Sequence, residues 1–177
     1  MEASETQSMS GRTGGARRRH EGFTLIELVI TIVLVGIMAG IGALLLREGT
    51  RAYISADVRA DLTNQGRVAI ERMAREIREI RSRTNADIPG CCSATTLSFN
   101  GIAGNPIAYD VAGSTVRRNL TALASGDAVS LSFTYYQSNG TPAVTAATVW
   151  VIQIDLTVTK NGESQPLRIR VHPRNFV

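Results

Sequence analysis

The sequence predicts an α+β fold: one long N-terminal helix with a C-terminal antiparallel β-sheet packed against its second half. Three observations predict it. Leu28 to Leu46 is a run of nineteen residues without a charge. Between Arg47 and Arg81 there is no proline, and apolar residues recur at Ile54, Val58, Leu62, Ala69, Met73, Ile77 and Ile80 in steps of three, four and seven, one stripe of a helix. From Ala94 onward the apolar period falls to two, the mark of strands with one face on a core.

The elements follow in order. Residues 1–16 are small and polar, with Gly11, Gly14 and Gly15 among Ser and Thr, and are expected to be disordered. Arg17, Arg18 and Arg19 come next, then His20, Glu21 and Gly22. The uncharged run would make about 28 Å of helix, close to the roughly 30 Å hydrocarbon core of a bilayer. The three arginines before it should hold the N-terminal side in the cytoplasm. The helix is expected to continue from Phe23 to about Arg81, apolar on all faces in its first half and on one stripe in its second. That change places the first half in lipid or among other helices and gives the second half a domain to carry.

The expected strands hold Leu97 and Phe99; Ile107, Tyr109 and Val111; Val129, Leu131, Phe133 and Tyr135; Trp150, Ile152, Ile154, Leu156 and Val158; and Leu167, Ile169 and Val171. Asn161-Gly162 suggests a tight hairpin, with a loop of more than two residues because Pro166 would delay the second strand. Asn100-Gly101 and Asn139-Gly140 are further turn signals. The expected boundaries are 1–22 for the leader, 23–46 for the apolar helix, 47–83 for the amphipathic half and 84–177 for the head.

Composition narrows the classes of function. In 177 residues, 44% are hydrophobic and 5% aromatic, so the head is built mainly from aliphatic residues. The net charge of +4 comes almost entirely from arginine, with Lys160 the only lysine, and it is spread over separate places. No G-x-S-x-G and no glycine-rich phosphate loop occurs, so no catalytic residue is expected. Only His20 and His172 could assist a metal, so no metal or other cofactor is expected. Asp110 and Asp127 read as turn formers. Cys91 and Cys92 are adjacent and cannot staple distant loops. They could be free or variably oxidised thiols, a vicinal disulfide, metal ligands or a link between subunits. Arg67, Arg72, Arg75, Arg78, Arg81 and Arg83 could capture DNA. The blander reading is a solvated face paired with Glu71, Glu76 and Glu79, and no aromatic residues interleave with these arginines in sequence.

Glu27 is the informative residue. A secretory signal or a simple anchor does not explain a carboxylate at the start of an apolar run, where burial in lipid costs up to roughly 2.5–3.5 kcal/mol unless the charge is paired. Gly22-Phe23-Thr24-Leu25-Ile26-Glu27, followed by Leu28-Val29-Ile30, resembles the prepilin signature of type IV pilins and type II secretion pseudopilins, strongly over residues 17–46 and elsewhere only in architecture. The resemblance implies a pilin-like fold and a structural role. A prepilin peptidase would cut after Gly22 and the new amine of Phe23 would be methylated. Glu27 would pair with the N-terminal amine of a neighbouring subunit. The chain would sit once across the inner membrane with its head in the periplasm. An assembly platform would then draw it, with other pilin or pseudopilin subunits, into a filament.

Gly36-x-x-x-Gly40 and Gly42 would allow close helix approach or local loosening. The absence of the proline that many major pilins carry in this segment favours a minor pilin or pseudopilin. The stretch from Gln65-Gly66-Arg67 to Arg78 and the closing Val171-His172-Pro173-Arg174-Asn175 are more loosely similar to minor pilins of the mannose-sensitive haemagglutinin pilus and to J-type pseudopilins. DNA is not expected as a partner. The alternatives are a membrane-anchored extracytoplasmic binding module and a DNA-binding minor pilin of an uptake system.

Overall fold

A computed structural model describes residues 22–176. The polar stretch 1–16, Arg17, Arg18, Arg19 and His20 lie outside the described residues. The chain divides into two compact units, one ending at Arg47 and one beginning at Glu48. The helix α1 (Leu25–Ile77) contributes to both, and antiparallel strands complete the α+β arrangement.

In the first unit the helix is apolar all round. Its large side chains from Leu25 to Leu46 are exposed, from 41% at Val29 to 81% at Leu25. It is long and apolar enough to cross a membrane. Nothing lies within contact distance of a Cβ built on Gly36, Gly40 or Gly42, so these glycines keep open space around them.

In the second unit the helix buries Leu62, Gly66, Ala69, Ile70, Met73, Ala74 and Ile77. This is the expected stripe, shortened at its start: Ile54 is exposed and Val58 only half-buried. Leu62, Met73 and Ile77 are fully buried, each worth about 1.5–3 kcal/mol relative to an exposed side chain. The helix ends at Ile77 rather than near Arg81. Its last turn tightens, with Glu79 N–H donating to Glu76 O (3.0 Å) and Ile80 N–H to Ile77 O (3.2 Å). Sheet pairing then takes over: Ile80 bridges Gly101, and Arg81 N–H donates to Asn100 O at 3.0 Å. The C-terminal segment satisfies carbonyls left at this end. Arg174 N–H donates to Arg78 O (3.0 Å) and Asn175 Nδ2 to Ile80 O (2.9 Å).

The strands form two sheets rather than one. The first has the order β1 (Leu97–Asn100), β2 (Pro106–Ala112), β3 (Thr115–Arg118), β4 (Thr121–Ser125). The second has the order β5 (Ala128–Tyr136), β6 (Val151–Lys160), β7 (Glu163–Val171). All neighbours are antiparallel. The alternation works as expected: Ile152, Ile154, Leu156 and Val158 of β6, Leu131, Phe133 and Tyr135 of β5, and Leu97 and Phe99 of β1 point into the core. Strands β3 and β4 had no clear period. They bury only Val116 and Ala124, and a bulge interrupts their register between Val116 and Arg117.

Two turns differ from expectation. Asn161 (φ 53°) and Gly162 (φ 80°) alone connect β6 to β7, so the loop is two residues long. Pro166 lies inside β7 opposite Thr157. It is tolerated because β7 is an edge strand, and alternation from the Lys160–Glu163 pair turns the Pro166 nitrogen away from β6. Asp110 lies in β2 rather than in a turn, where Arg117 of β3 grips its carboxylate with two hydrogen bonds, 3.0 and 2.6 Å. Asp127 does serve a turn, accepting from Asn161 N–H at 2.6 Å.

Cys91 and Cys92 are joined to each other in a disulfide, half-buried against the core in the loop before β1. In that state neither sulfur is available to a metal or to another subunit. The same loop is tied to β5, with Tyr135 Oη donating to Ser93 O (3.0 Å) and Phe133 N–H to Ala94 O (2.8 Å).

Candidate functional site

The candidate site is the entry to α1. Gly22, Phe23 and Thr24 are non-helical and exposed, and the helix begins at Leu25. Phe23 is 78% exposed, so the Gly22–Phe23 peptide bond sits on an open strand of backbone. Thr24 starts the helix. Its Oγ1 accepts from Glu27 N–H at 3.3 Å, and its carbonyl accepts from Leu28 N–H at 3.2 Å. This is an N-cap, in which a side-chain oxygen satisfies one of the amides that the first turn leaves unpaired. Thr24-x-x-Glu27 is the residue pattern of a capping box, a signal present in the sequence that the reading of the apolar run passed over.

The cap fixes Glu27 as the acidic residue of the first turn. There the helix macrodipole favours a carboxylate by about 0.3–1 kcal/mol. One turn on, Thr31 returns its hydroxyl to Leu28 O at 2.8 Å and so adds no unpaired hydroxyl to the apolar surface. The site thus combines an exposed peptide bond, a capped helix start and one carboxylate at the head of an uncharged helix.

Residues 17–43 match the prokaryotic N-terminal methylation motif. This is the type IV pilin and pseudopilin signature. The methylation motif spans Gly22, Phe23 and Glu27, as well as the three arginines outside the described residues. It points to a structural subunit rather than an enzyme, and it implies processing by a prepilin peptidase and assembly with other pilin subunits. With the apolar helix it fits a single-pass, membrane-anchored chain. No curated protein and no solved structure matches the chain.

The arginines near the end of α1 separate into different environments. Arg67 pairs with Glu71 (3.9 Å) and Arg72 with Glu76 (3.1 Å), both i,i+4 on the helix. Arg81 lies past the helix and pairs with Asp87 (2.6 Å). Arg83 lies over the Trp150 ring at 5.5 Å and the Phe176 ring at 5.9 Å. Folding therefore brings aromatic rings to an arginine that has none beside it in sequence.

Two carboxylates in this region, Glu76 and Asp87, each gather more than one donor. Glu76 receives Arg118 Nε (2.7 Å to Oε2), Tyr109 Oη (2.5 Å) and Arg72 Nε (3.1 Å). Burial pushes its carboxyl up, but the bonds from Arg118, Tyr109 and Arg72 outweigh that, and it stays below the usual glutamate range. Burial, with the Glu76 carboxylate beside it, pushes the Tyr109 phenol up. Asp87 is buried, and its Oδ2 accepts Ser82 Oγ at 2.5 Å. Hydrogen bonds from Arg81 and then Ser82 bring its carboxyl down to about 2. His172 approaches Trp150 O through Nδ1 at 2.7 Å, a contact that orients its ring on the indole.

Proposed function

We propose that the chain is a minor subunit of a type IV pilus or of a type II secretion pseudopilus. The observation that carries the reading is the entry to α1: a methylation motif whose exposed Gly22–Phe23 bond lies just before a self-contained helix cap. Cleavage after Gly22 removes nothing the first turn needs, because the cap comes from Thr24. It releases the leader with Arg17, Arg18 and Arg19, the charges that orient the chain before processing. It also creates an amine on Phe23, which is then methylated.

The chemistry of Glu27 follows from this. A carboxylate in an apolar assembly needs a positive partner, and the Phe23 amine of a neighbouring subunit supplies one only after the leader is cut. Processing would therefore gate assembly. The uncharged helix holds the subunit in the inner membrane, with the head in the periplasm, until an assembly platform draws it into the filament.

Exchange of Glu27 tests the reading. In a strain that assembles the filament, Glu27→Gln is expected to be processed and to remain in the membrane fraction, but to be depleted from sheared filaments. Incorporation at the wild-type level would remove the pairing role given to Glu27, and absence of the wild-type chain itself from sheared filaments would leave only an anchored binding module.

A further inference from the structure

A groove of about 220 Å³ opens where β5 leaves the second sheet and β6 enters it. The sheet builds it locally. Trp150 backbone N–H donates to Tyr136 O at 2.7 Å, which ties the start of β6 to the end of β5, and both residues line the groove. The turn from Gln137 to Thr141, with Gly140 at φ 84°, closes one end. Gln137 is held by its Nε2 bond to Pro142 O (3.1 Å). Strand β7 places Arg170 opposite Gln153, and Arg170 Nε donates to Gln153 Oε1 at 2.8 Å. The guanidinium then lies 5.0 Å over the Tyr136 ring.

The lining has one cation, Arg170, and no carboxylate. Tyr136 and Trp150 supply apolar walls, and Gln137 and Ser138 supply neutral polar groups. Trp150, the only tryptophan, lies outside the core of buried residues although aromatics are scarce in this chain. It is instead held at the surface, with His172 at 4.5 Å and Arg83 at 5.5 Å. An amphipathic ring fixed at a groove is a recognition feature.

Two ligand chemistries fit a cation between aromatic walls. Single-stranded nucleic acid needs a track of cations and open ring faces on which bases can stack. This groove has a single lining arginine, and cationic or imidazole side chains already lie against both rings. An acidic sugar needs one cation for its acid group and neutral polar groups for its hydroxyls, in a space of about one ring. We propose that the groove binds an acidic sugar unit of a polysaccharide, with Arg170 on the carboxylate and Gln137 and Ser138 on the hydroxyls.

Trp150 reports on the site directly. The full chain in detergent micelles is titrated with a trimer of galacturonate, and tryptophan emission is followed. The expected result is a saturable change that a neutral trisaccharide does not produce. Loss of a charge-assisted hydrogen bond should weaken binding about tenfold in Arg170→Gln. Gln137→Ala, whose side chain lies in a turn rather than a strand, should weaken it too. Arg67→Gln, which removes the same charge from the helix surface, should leave it unchanged. Circular dichroism checks that each variant is folded. The proposal is overturned by no saturable change, by equal binding of the neutral trimer, by equal losses in Arg67→Gln and Arg170→Gln, or by a saturable response to a single-stranded oligonucleotide and none to the uronate.

Discussion

Leu167 of β7 fills the space that a side chain would need at Gly66 of α1. A Cβ built on Gly66 would run into Leu167 Cδ1, and Gly66 is buried. Helix and edge strand therefore meet backbone to side chain at this point. The glycine is there for close approach, and it keeps that role despite costing a helix roughly 0.5–1 kcal/mol relative to alanine.

Substitution at Gly66 should read out this contact. In Gly66→Ala the helix gain and the need for the Leu167 tip to move oppose each other, and the stability change should stay within about 1 kcal/mol. Gly66→Val adds bulk that the tip cannot clear and should cost about 1–3 kcal/mol. Urea unfolding of the two variants against the wild type checks the ordering.

Glu76 joins the helix to the first sheet through Arg118 of β3 and Tyr109 of β2. Glu76→Ala leaves a half-buried guanidinium and a buried phenol without their acceptor and should cost about 2 kcal/mol. Glu76→Gln keeps an acceptor oxygen and should lose less. Thermal melts of both variants at neutral pH test the difference.

Asp87 makes stability fall in acid. Its folded value of about 2 lies below the ordinary aspartate value of about 3.9. A carboxyl depressed in the folded state stabilises the fold fully above the unfolded value, and that stabilisation is lost as the pH falls through the folded value. The melting temperature should therefore drop between about pH 4 and pH 2. Asp87→Asn, which does not titrate, should flatten that part of the curve. An unchanged slope would show that other carboxylates carry it.

Much of this architecture was legible from the order of residues. The uncharged run, the stripe through Leu62, Met73 and Ile77, and the alternation through β6 each reflect a single periodic face, and the structure keeps all three. What was not legible depended on partners distant in sequence. The end of α1 is set by Asn100 and Gly101, some twenty residues on. Strands β3 and β4 are short, and their turn uses Asn119 (φ 46°) and Leu120 (φ 69°) instead of Asn-Gly. The Asn119 side chain supports that turn by accepting Ala108 N–H (2.7 Å) and donating to Pro106 O (3.1 Å), contacts that no local pattern encodes. At the site, Glu27 stood out because a charge interrupts an apolar run, and Gly22 and Phe23 only through the resemblance to the prepilin signature. Thr24 did not, because a cap is read from its neighbours.

The proposed function turns on cleavage of the leader at the exposed bond before the cap. Intact mass and N-terminal sequencing of the chain, expressed with and without a prepilin peptidase, test it directly. Cleavage at that bond predicts a product that lacks residues 1–22 and begins with methylated Phe23 only when the peptidase is present. A full-length chain under both conditions, or a cut near Gly42, would contradict it.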